Sequence, residues 1–381
     1  MSNKRIKILH VITSLDVGGA EMVLFRLLKK MDASRFENQV VSLIHSGKVG
    51  EKIQTLGLPV FSLEMRSGHP DLGSLFRLAG LLRREYPDLV QTWLYHADLL
   101  GLLAARTAGV PVLWNIRASN MDMSQYRWLS SLVLTACIRL SSWPQVVIVN
   151  SKAGQAFHER LGYHPRRWVY IPNGIDTDQF RPTLPARAAL RNELGLAPDA
   201  LLIGLIARFD PMKDHENFML AASLLAAKMP DIHFVLAGNN VDPSNPFFGK
   251  YLEKDELRGR LHLLGQRDDM PDLMAALDIA SLSSYGEGFP NTIAEAMSCG
   301  IPCVVTDTGD SAYLVEKTGI VVAPKDPQAL AEGLQKMISL GMEGRKALGA
   351  AARQRIQLNF QQDEITRQYE KLYESLMPLT S

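Results

Sequence analysis

An alternation of short apolar segments with helix-patterned segments constrains this sequence most, because it runs along the chain and restarts near the middle. The first cycle is a strand pattern over Ile6–Ile12 and a helix pattern over Glu21–Met31. A new cycle begins with a strand pattern over Leu201–Ile206 and a helix pattern from about Asn217 to Lys228. Such repeats predict parallel sheets covered by helices, since each parallel crossover needs a connection that a helix supplies. At 381 residues the chain is long enough for two such α/β cores.

The run Pro-Asn-Gly-Ile-Asp at residues 172–176 indicates where one domain ends and the next begins. We predict that Asn173 and Gly174 form the hinge. A first Rossmann-like domain would then span residues 1–173, and a second would span 174–359.

Charge is divided unequally between these halves. Residues 1–173 carry 21 Lys and Arg against 12 Asp and Glu, a net charge of +9, whereas residues 174–381 carry 20 against 28, a net charge of −8. The basic charge suggests that the first half faces an anionic surface or acceptor. The alternative is that the charges are distributed unequally by chance over solvent-exposed faces. The three cysteines lack metal-ligand spacing and predict a reducing, cytoplasmic setting. We expect the amino terminus to form a first strand and not a signal peptide, and no run of about 18 apolar residues predicts a membrane span.

The stretch Ser284–Gly300 combines two carboxylates with a loop that offers backbone donors. An apolar strand pattern, Leu277–Leu282, leads into it, and a helix pattern follows Pro290. Glu287 precedes the helix and Glu295 lies inside it, eight positions later. Parallel sheets bind ligands at the carboxyl ends of strands, where the first amides of the next helix are free. A loop that offers two carboxylates and free amides suits a ligand with hydroxyls near a charged group, such as a sugar nucleotide. The alternative is a surface loop in which Glu295 only supports the helix.

The spacing of these two glutamates, followed by Gly300-Ile301-Pro302-Cys303-Val304-Val305, closely resembles the signature of retaining glycosyltransferases of family 4. The resemblance implies the GT-B fold, in which two Rossmann-like βαβ domains face each other across a cleft. It also implies a carboxyl-terminal helix, within about residues 360–381, that crosses back to the first domain. In the family the first Glu lies at the donor sugar and the second at the nucleotide ribose, which assigns these roles to Glu287 and Glu295. The expected donor site includes the loop between them, which comprises Gly288, Phe289, Pro290, Asn291 and Thr292.

Arg208 and Lys213 follow the Leu201–Ile206 strand pattern in one loop, so both cations can converge on one anion. The family has an Arg and a Lys at this spacing, and the resemblance assigns the donor diphosphate, and a part in catalysis, to these two residues. A solvated charge pair on a loop is the alternative. The resemblance also adds positions at two later strand ends to the donor site: Gly238, Leu264, Gln266 and Arg267.

The first half offers candidates for the diphosphate and the acceptor. Gly18 and Gly19 follow the first strand pattern and let the backbone approach a phosphate, or they form only a tight turn. The resemblance places this Gly-Gly-Ala-Glu opening near the diphosphate and the acceptor. His96, at a predicted strand end, could bind or activate a sugar hydroxyl, unless it is structural. The family commonly has a catalytic His one strand further on, where this chain has Arg117. Either His96 takes that role, or Arg117 binds an anionic acceptor or bonds loop carbonyls.

A segment over Tyr126–Ser142 has an amphipathic helical pattern with a wide apolar face. Core packing is one interpretation. An interfacial helix that rests on the inner leaflet of a membrane is the other.

Together these features predict a retaining glycosyltransferase that moves a sugar from a nucleoside diphosphate, expected to be UDP, to a glycan or polyprenyl-linked acceptor. No Asp-x-Asp motif follows a predicted strand, so we expect no divalent metal and no other cofactor, with charge on the leaving group neutralised by cations and helix amides. We expect a cytoplasmic protein with a peripheral contact to the anionic inner membrane and no nucleic acid partner. A sugar-nucleotide epimerase of the same fold and a non-catalytic nucleotide-sugar-binding module are the alternatives.

Overall fold

The computed structural model describes residues 5–66, 71–117, 128–229 and 231–377. The chain divides into two units. The first unit comprises Met1–Gly174 together with Gln362–Ser381, and the second comprises Ile175–Gln361. The second unit is therefore inserted into the first.

The first unit is built on a seven-stranded parallel sheet with the strand order β3-β2-β1-β4-β5-β6-β7. Its strands are β1 Ile6–Ile12, β2 Phe36–Ser42, β3 Val60–Ser62, β4 Leu89–Trp93, β5 Val112–Ile116, β6 Val146–Val149 and β7 Trp168–Tyr170. Alternate side chains of β1 enter two different cores, with Ile8 and Ile12 in one and Leu9 and Val11 in the other. Both faces of the sheet are therefore covered, as expected for parallel strands.

The helices of the first unit are distributed over these two faces. They are α1 Gly19–Lys30, α2 Gly47–Gln54, α3 Leu72–Glu85, α4 Tyr95–Ala108, α5 Trp128–Leu140, α6 Lys152–Arg160 and α15 Gln362–Ser375. Buried side chains of α1, α2 and α15 share one core, and those of α3, α4 and α5 share the other.

The second unit contains a six-stranded parallel sheet with the order β10-β9-β8-β11-β12-β13. Its strands are β8 Leu201–Ile206, β9 Ile232–Ala237, β10 Leu261–Leu263, β11 Ile279–Leu282, β12 Cys303–Thr306 and β13 Gly319–Val322. Its helices are α7 Leu184–Glu193, α8 His215–Ala226, α9 Pro246–Leu252, α10 Met270–Ala276, α11 Asn291–Ser298, α12 Ser311–Val315, α13 Pro327–Ser339 and α14 Gly341–Asn359. Two cores again lie on opposite faces of the sheet.

The chain passes between the units twice, and the two passages run side by side. Ile175 N donates to Phe360 O at 2.8 Å, and Ile175 forms an isolated parallel bridge with Gln361. A Cβ added to Gly174 would lie 2.6 Å from Oε1 of Gln362 and 2.9 Å from its Cα, so a larger residue does not fit between the passages. Beyond this point α15 packs into the core of the first unit through Ile365, Tyr369, Leu372 and Tyr373.

The predicted fold class is confirmed, because each unit is a parallel sheet wrapped by helices and the carboxyl-terminal helix returns to the first unit. Among the described helices, α2, α7, α9 and α12 had no sequence prediction. The sequence pattern predicts a helix over Leu99–Ala108, and its predicted start is wrong by about one turn, since α4 begins at Tyr95. The amphipathic segment predicted over Tyr126–Ser142 contains α5, and its first part lies outside the described residues. In the described parts of the chain, no helix combines the length and apolar character that crossing a membrane requires.

Candidate functional site

Glu287 lies in the loop between β11 and α11, with its side chain only 9% exposed. The ammonium of Lys213 forms an ion pair with Glu287 Oε1, and Ser284 Oγ donates to the same oxygen at 2.8 Å. Lys213 comes from the loop after β8, so side chains from two adjacent strand ends meet here. The sequence predicted each residue separately, and the structure brings them together.

Backbone contacts join these two loops. Ser283 Oγ donates to Lys213 O at 2.8 Å, and Tyr285 N donates to Met212 O at 3.0 Å. From the next strand, Thr306 Oγ1 donates to Ser284 O at 2.6 Å. The carboxylate of Glu287 is thus held on a backbone that three neighbouring strands fix.

Gly309 lies directly beneath the Glu287 loop. Its φ is +56°, and an added Cβ would lie 2.5 Å from the carbonyl oxygen of Glu287 and 2.6 Å from that of Gly288. Asp310 N donates to Gly288 O at 2.9 Å. Thr306, Gly309 and Asp310 were not predicted as site residues, although a polar, glycine-containing run after a strand is the same signal that identified the other loops.

Helix α11 begins immediately after this loop, and Pro290 is its N-cap residue. Asn291 and Thr292 open the helix and are half-buried, so its first amides lie beside the loop. Glu295 is the fifth residue of the helix and is buried. Phe289 points its ring into the core, 5.5 Å from the ring of Phe360, which leaves only its backbone for a ligand.

Arg208 is the second predicted cation of the β8 loop, and its side chain is 57% exposed. Its guanidinium donates to Asp210 Oδ2 from Nε at 3.1 Å and from Nη2 at 2.9 Å. Burial opposes ionisation of Asp210, but hydrogen bonds from Met212 N and Arg208 outweigh it and hold the pKa of that carboxyl below its ordinary value. Arg208 and Lys213 therefore share a loop but pair with different carboxylates, and their convergence on one anion stays a prediction.

Gly238 ends β9 against the start of the β8 loop. Its φ is +154°, and an added Cβ would lie 2.2 Å from Ala207 O, so only glycine fits. Gly238 N donates to Gly265 O at 2.8 Å, which connects the ends of β9 and β10. The backbones after β8, β9 and β10 are thus joined at one edge of the sheet.

The other donor candidates follow β10. Leu264 N donates to Leu236 O at 2.9 Å, and Gln266 is exposed. The guanidinium of Arg267 is bound by the carboxylates of Asp269 and Glu193, which raise its pKa. The side chain of Arg267 thus has structural partners. The resemblance implies that this strand end borders the nucleobase, and a contact through the backbone of Arg267 stays a prediction.

In the first unit, Gly18 is the N-cap residue of α1 and Gly19 is its first residue. A Cβ on Gly18 would lie 2.3 Å from Oε2 of Glu21, so a larger residue there would require the end of the Glu21 side chain to shift. Gly19 is exposed. The predicted phosphate contact of these glycines stays a prediction.

His96 was expected at a strand end and is instead the second residue of α4. It is half-buried, and burial lowers its pKa, which favours the neutral imidazole. The turn before it is strained, because Leu94 has φ 73° and ψ 155°, a conformation found almost only for glycine. Strain of this kind costs of order 1–3 kcal/mol and often marks functional sites.

Arg117 follows β5 and is held by polar partners on several sides. Its Nη1 donates to Asn115 Oδ1 and to Tyr369 Oη, both at 3.3 Å, and its Nη2 donates to Asn173 Oδ1 at 2.5 Å. Its guanidinium also lies 5.2 Å from the ring centroid of Trp93. Arg117 thus connects the predicted hinge residue Asn173 to the returning helix α15, and a role toward the acceptor stays a prediction.

Taken together, the loops of the second unit offer two cations, two buried carboxylates and the first amides of α11 at the carboxyl ends of adjacent strands. Cations and helix amides bind anions, and carboxylates accept hydrogen bonds from hydroxyls. Within the described ranges, no cluster of three or more His, Cys, Asp or Glu side chains could hold a metal ion.

Comparison with known sequence families matches both parts of the chain. The family described as "Glycosyltransferase Family 4" matches residues 17–179, and "Glycosyl transferases group 1" matches residues 186–355. These two ranges together cover most of both units.

Individual relatives agree with this assignment. A UDP-Gal:alpha-D-GlcNAc-diphosphoundecaprenol alpha-1,3-galactosyltransferase of Escherichia coli is 27% identical, over 83% of each chain. An N,N'-diacetylbacillosaminyl-diphospho-undecaprenol alpha-1,3-N-acetylgalactosaminyltransferase of Campylobacter jejuni is 25% identical, over 95% of this chain and 98% of its own. The fold is similar to that of Anabaena HepE, solved in complex with UDP, with a TM-score of 0.85 and 24% identity over 97% of this chain and 100% of that one. The chain therefore belongs to the family 4 glycosyltransferases and has the GT-B fold.

Proposed function

We propose that this glycosyltransferase moves a sugar from a UDP-sugar to a hydroxyl of a glycan or lipid-linked acceptor, in the synthesis of a bacterial polysaccharide or glycolipid. The names of the relatives support both substrates. The Escherichia coli relative is named for UDP-Gal, and both relatives are named for acceptors on diphosphoundecaprenol. The donor would bind the second unit, and the acceptor would bind the first.

The contact between Lys213 and Glu287 carries the proposal for the donor. The ammonium of Lys213 lies at hydrogen-bond distance from the carboxylate of Glu287, which can accept a hydrogen bond from a hydroxyl. The two residues lie on loops that share backbone contacts. A sugar linked to a diphosphate needs this combination, since its phosphates require positive charge while its ring presents hydroxyls a few ångströms away. The amides of α11 add further donors for the phosphates.

In the proposed reaction, Arg208, Lys213 and the first amides of α11 neutralise the diphosphate as it leaves the sugar. Glu287 accepts a hydrogen bond from a hydroxyl of the donor sugar, and Glu295 accepts one from the ribose. The acceptor oxygen attacks the anomeric carbon from the face that the phosphate leaves. The departing phosphate oxygen takes the acceptor proton, so one C–O bond breaks, one forms, and the anomeric configuration is retained.

The acceptor would lie against loops of the first unit. A neutral His96 can accept a hydrogen bond from the acceptor hydroxyl, and the exposed Gly19 leaves room for a substrate beside α1. Gly18 and Gly19 would also lie near the diphosphate. We propose that the reaction needs no divalent metal, because the cations named above supply the charge.

Nucleotide binding tests the donor site directly. The thermal midpoint of the wild type should rise with UDP, since a ligand that binds the folded chain stabilises it by mass action. Arg208→Ala should weaken UDP binding by about 10- to 100-fold, the usual range for a lost charge-assisted hydrogen bond. Arg258→Ala is the matched control, because Arg258 is also exposed and also paired with a nearby carboxylate, yet lies outside the site.

Turnover tests the rest of the proposal. A diphosphoundecaprenol-linked sugar should accept a sugar from one UDP-sugar, with equal rates with and without a chelator and an unchanged anomeric configuration by NMR. Donor consumption without an acceptor would instead indicate an epimerase or a hydrolase. UDP binding without any transfer would indicate the binding-module alternative, and loss of activity with chelator would refute metal independence.

A further inference from the structure

We propose that helices α3, α4 and α5 form a surface that docks on an anionic bilayer. We call this surface the α3–α5 face and define it by six outward side chains: Phe76, Arg83, Arg106, Leu132, Arg139 and Trp143, the last of which follows α5 in sequence. The inference rests on the proposed function only in that a lipid-linked acceptor lies in a membrane.

Large apolar side chains on this face point away from the core. Phe76 is 74% exposed, Leu132 is 55% exposed and Trp143 is 40% exposed. The opposite sides of α3, α4 and α5 pack into one core, through residues such as Leu82 and Leu134. The inward side chains already fulfil the packing role that the amphipathic pattern of α5 requires, so the outward ones need another explanation.

The charges on this face have one sign. Arg83, Arg106 and Arg139 are exposed, whereas no Asp or Glu is exposed in the described parts of α3, α4 and α5. Helices α2 and α15, on the other face of the same sheet, expose acidic and basic side chains together, including Glu51 and Glu374. The exposed charges in the described parts of α3, α4 and α5 are therefore all positive.

Two contacts connect neighbouring helices on this face. Arg83 Nη2 lies 3.5 Å from Thr107 O, which joins the ends of α3 and α4. The Arg106 guanidinium lies 4.1 Å from the ring centroid of Trp143, which joins the end of α4 to the turn after α5. Such a stacked pair combines an aromatic ring with a charge, an arrangement suited to the boundary between lipid headgroups and acyl chains.

An anionic bilayer fits this face better than a nucleic acid does. Basic side chains attract anionic headgroups, and their aliphatic stems let the charges stay at the headgroup level while neighbouring apolar groups enter the acyl boundary. Phosphate backbones would engage the arginines but offer no apolar region for Leu132 and Phe76. We therefore assign the face to a membrane surface.

Vesicle flotation tests the assignment without any sugar substrate. We would compare full-length protein on vesicles of phosphatidylcholine alone and of phosphatidylcholine with phosphatidylglycerol, at low and high salt. Binding should require phosphatidylglycerol and weaken with salt. Charge reversal at Arg83, Arg106 and Arg139 to Glu should reduce it by at least about 30-fold, given the contribution of each basic residue near such a surface.

The matched control reverses three exposed lysines on the opposite side of the sheet, Lys29, Lys48 and Lys52, which gives the same net charge. It should retain most of the binding. Trp143→Ser should reduce the binding that persists at high salt. Equal loss in both triple variants, equal binding to neutral vesicles, or tighter binding of a DNA duplex would overturn the proposal.

The fold of each variant is checked by its thermal midpoint and its response to UDP. If vesicle binding is lost while the UDP response is unchanged, the surface is confirmed independently of the donor site. If the wild type binds vesicles but not UDP, the proposed donor fails and the surface stands. If the wild type binds UDP but not anionic vesicles, the surface proposal fails alone.

Discussion

Replacement of Gly309 should destabilise the donor site, because it combines two separate costs. At φ +56°, an alanine there is in the left-handed region, which costs about 1–2 kcal/mol. Its Cβ would also lie 2.5 and 2.6 Å from two backbone oxygens, so the Glu287 loop must move. Forcing extra volume into a packed site costs about 1–3 kcal/mol more. We therefore expect Gly309→Ala to lower the free energy of unfolding by ~2–5 kcal/mol.

Gly259→Ala separates the two costs. Gly259 has φ +71° in the same unit, and no atom lies within 4 Å of its added Cβ, so it carries the conformational cost alone. The two variants should differ by about 2 kcal/mol, or ~4–8 °C in thermal midpoint by circular dichroism, with Gly309→Ala the lower. Gly309→Ala should also weaken the response to UDP, while Gly259→Ala should not. Equal midpoints would refute the argument that the loop is held by this close approach.

Three further predictions concern buried groups. Asp278→Ala should cost about 3–5 kcal/mol in urea unfolding, because Arg191, only 2% exposed, loses its carboxylate partner, whereas Asp255→Ala at an exposed pair should cost under about 1 kcal/mol. Burial lowers the pKa of His158 from 6.5 to about 4. Between these two pH values, the unfolded chain therefore binds a proton at this residue more readily than the folded chain does. Lowering the pH from 7 to 5 should therefore reduce stability by ~2 kcal/mol from this residue, and His158→Gln should make urea midpoints less dependent on pH. Tyr369→Phe removes a hydroxyl that accepts two hydrogen bonds and should cost ~1–3 kcal/mol, and an unchanged midpoint would contradict that role.

Most strands were predictable from sequence because they are short apolar runs between polar turns. Helices without a strong apolar periodicity were not predictable. Helix α9 is seven residues long and begins with Pro246, and α2 contains two glycines, so neither has enough regular positions to distinguish it from a loop. The start of α4 was missed for another reason. Leu94 precedes it in a conformation that its residue type disfavours, and only tertiary packing determines that.

Local spacing located Glu287, Arg208 and Lys213, which lie in loops that directly follow strands, and Glu295, which lies in the helix that follows one of these loops. It could not identify their partners. The carboxylate that binds Lys213 is 74 positions away in sequence, and the one from α7 that binds Arg267 is also 74 positions away. Such pairs depend on strand order in the sheet, which periodicity does not reveal. The same limit applies to Arg117, whose contact with Tyr369 of α15 spans 252 positions.

The insertion of the second unit determines the order in which the ribosome can complete this protein. Helix α15 supplies Tyr369 and Tyr373 to the core of the first unit, and Tyr373 Oη donates to Gln91 Oε1 at 2.6 Å. All strands of the first sheet are therefore synthesised well before the helix that covers part of it. The second unit is one continuous segment and can close its own sheet as it emerges. The unit that is translated first is thus finished last, and a nascent chain that stops before Gln362 exposes an apolar surface for chaperones to bind.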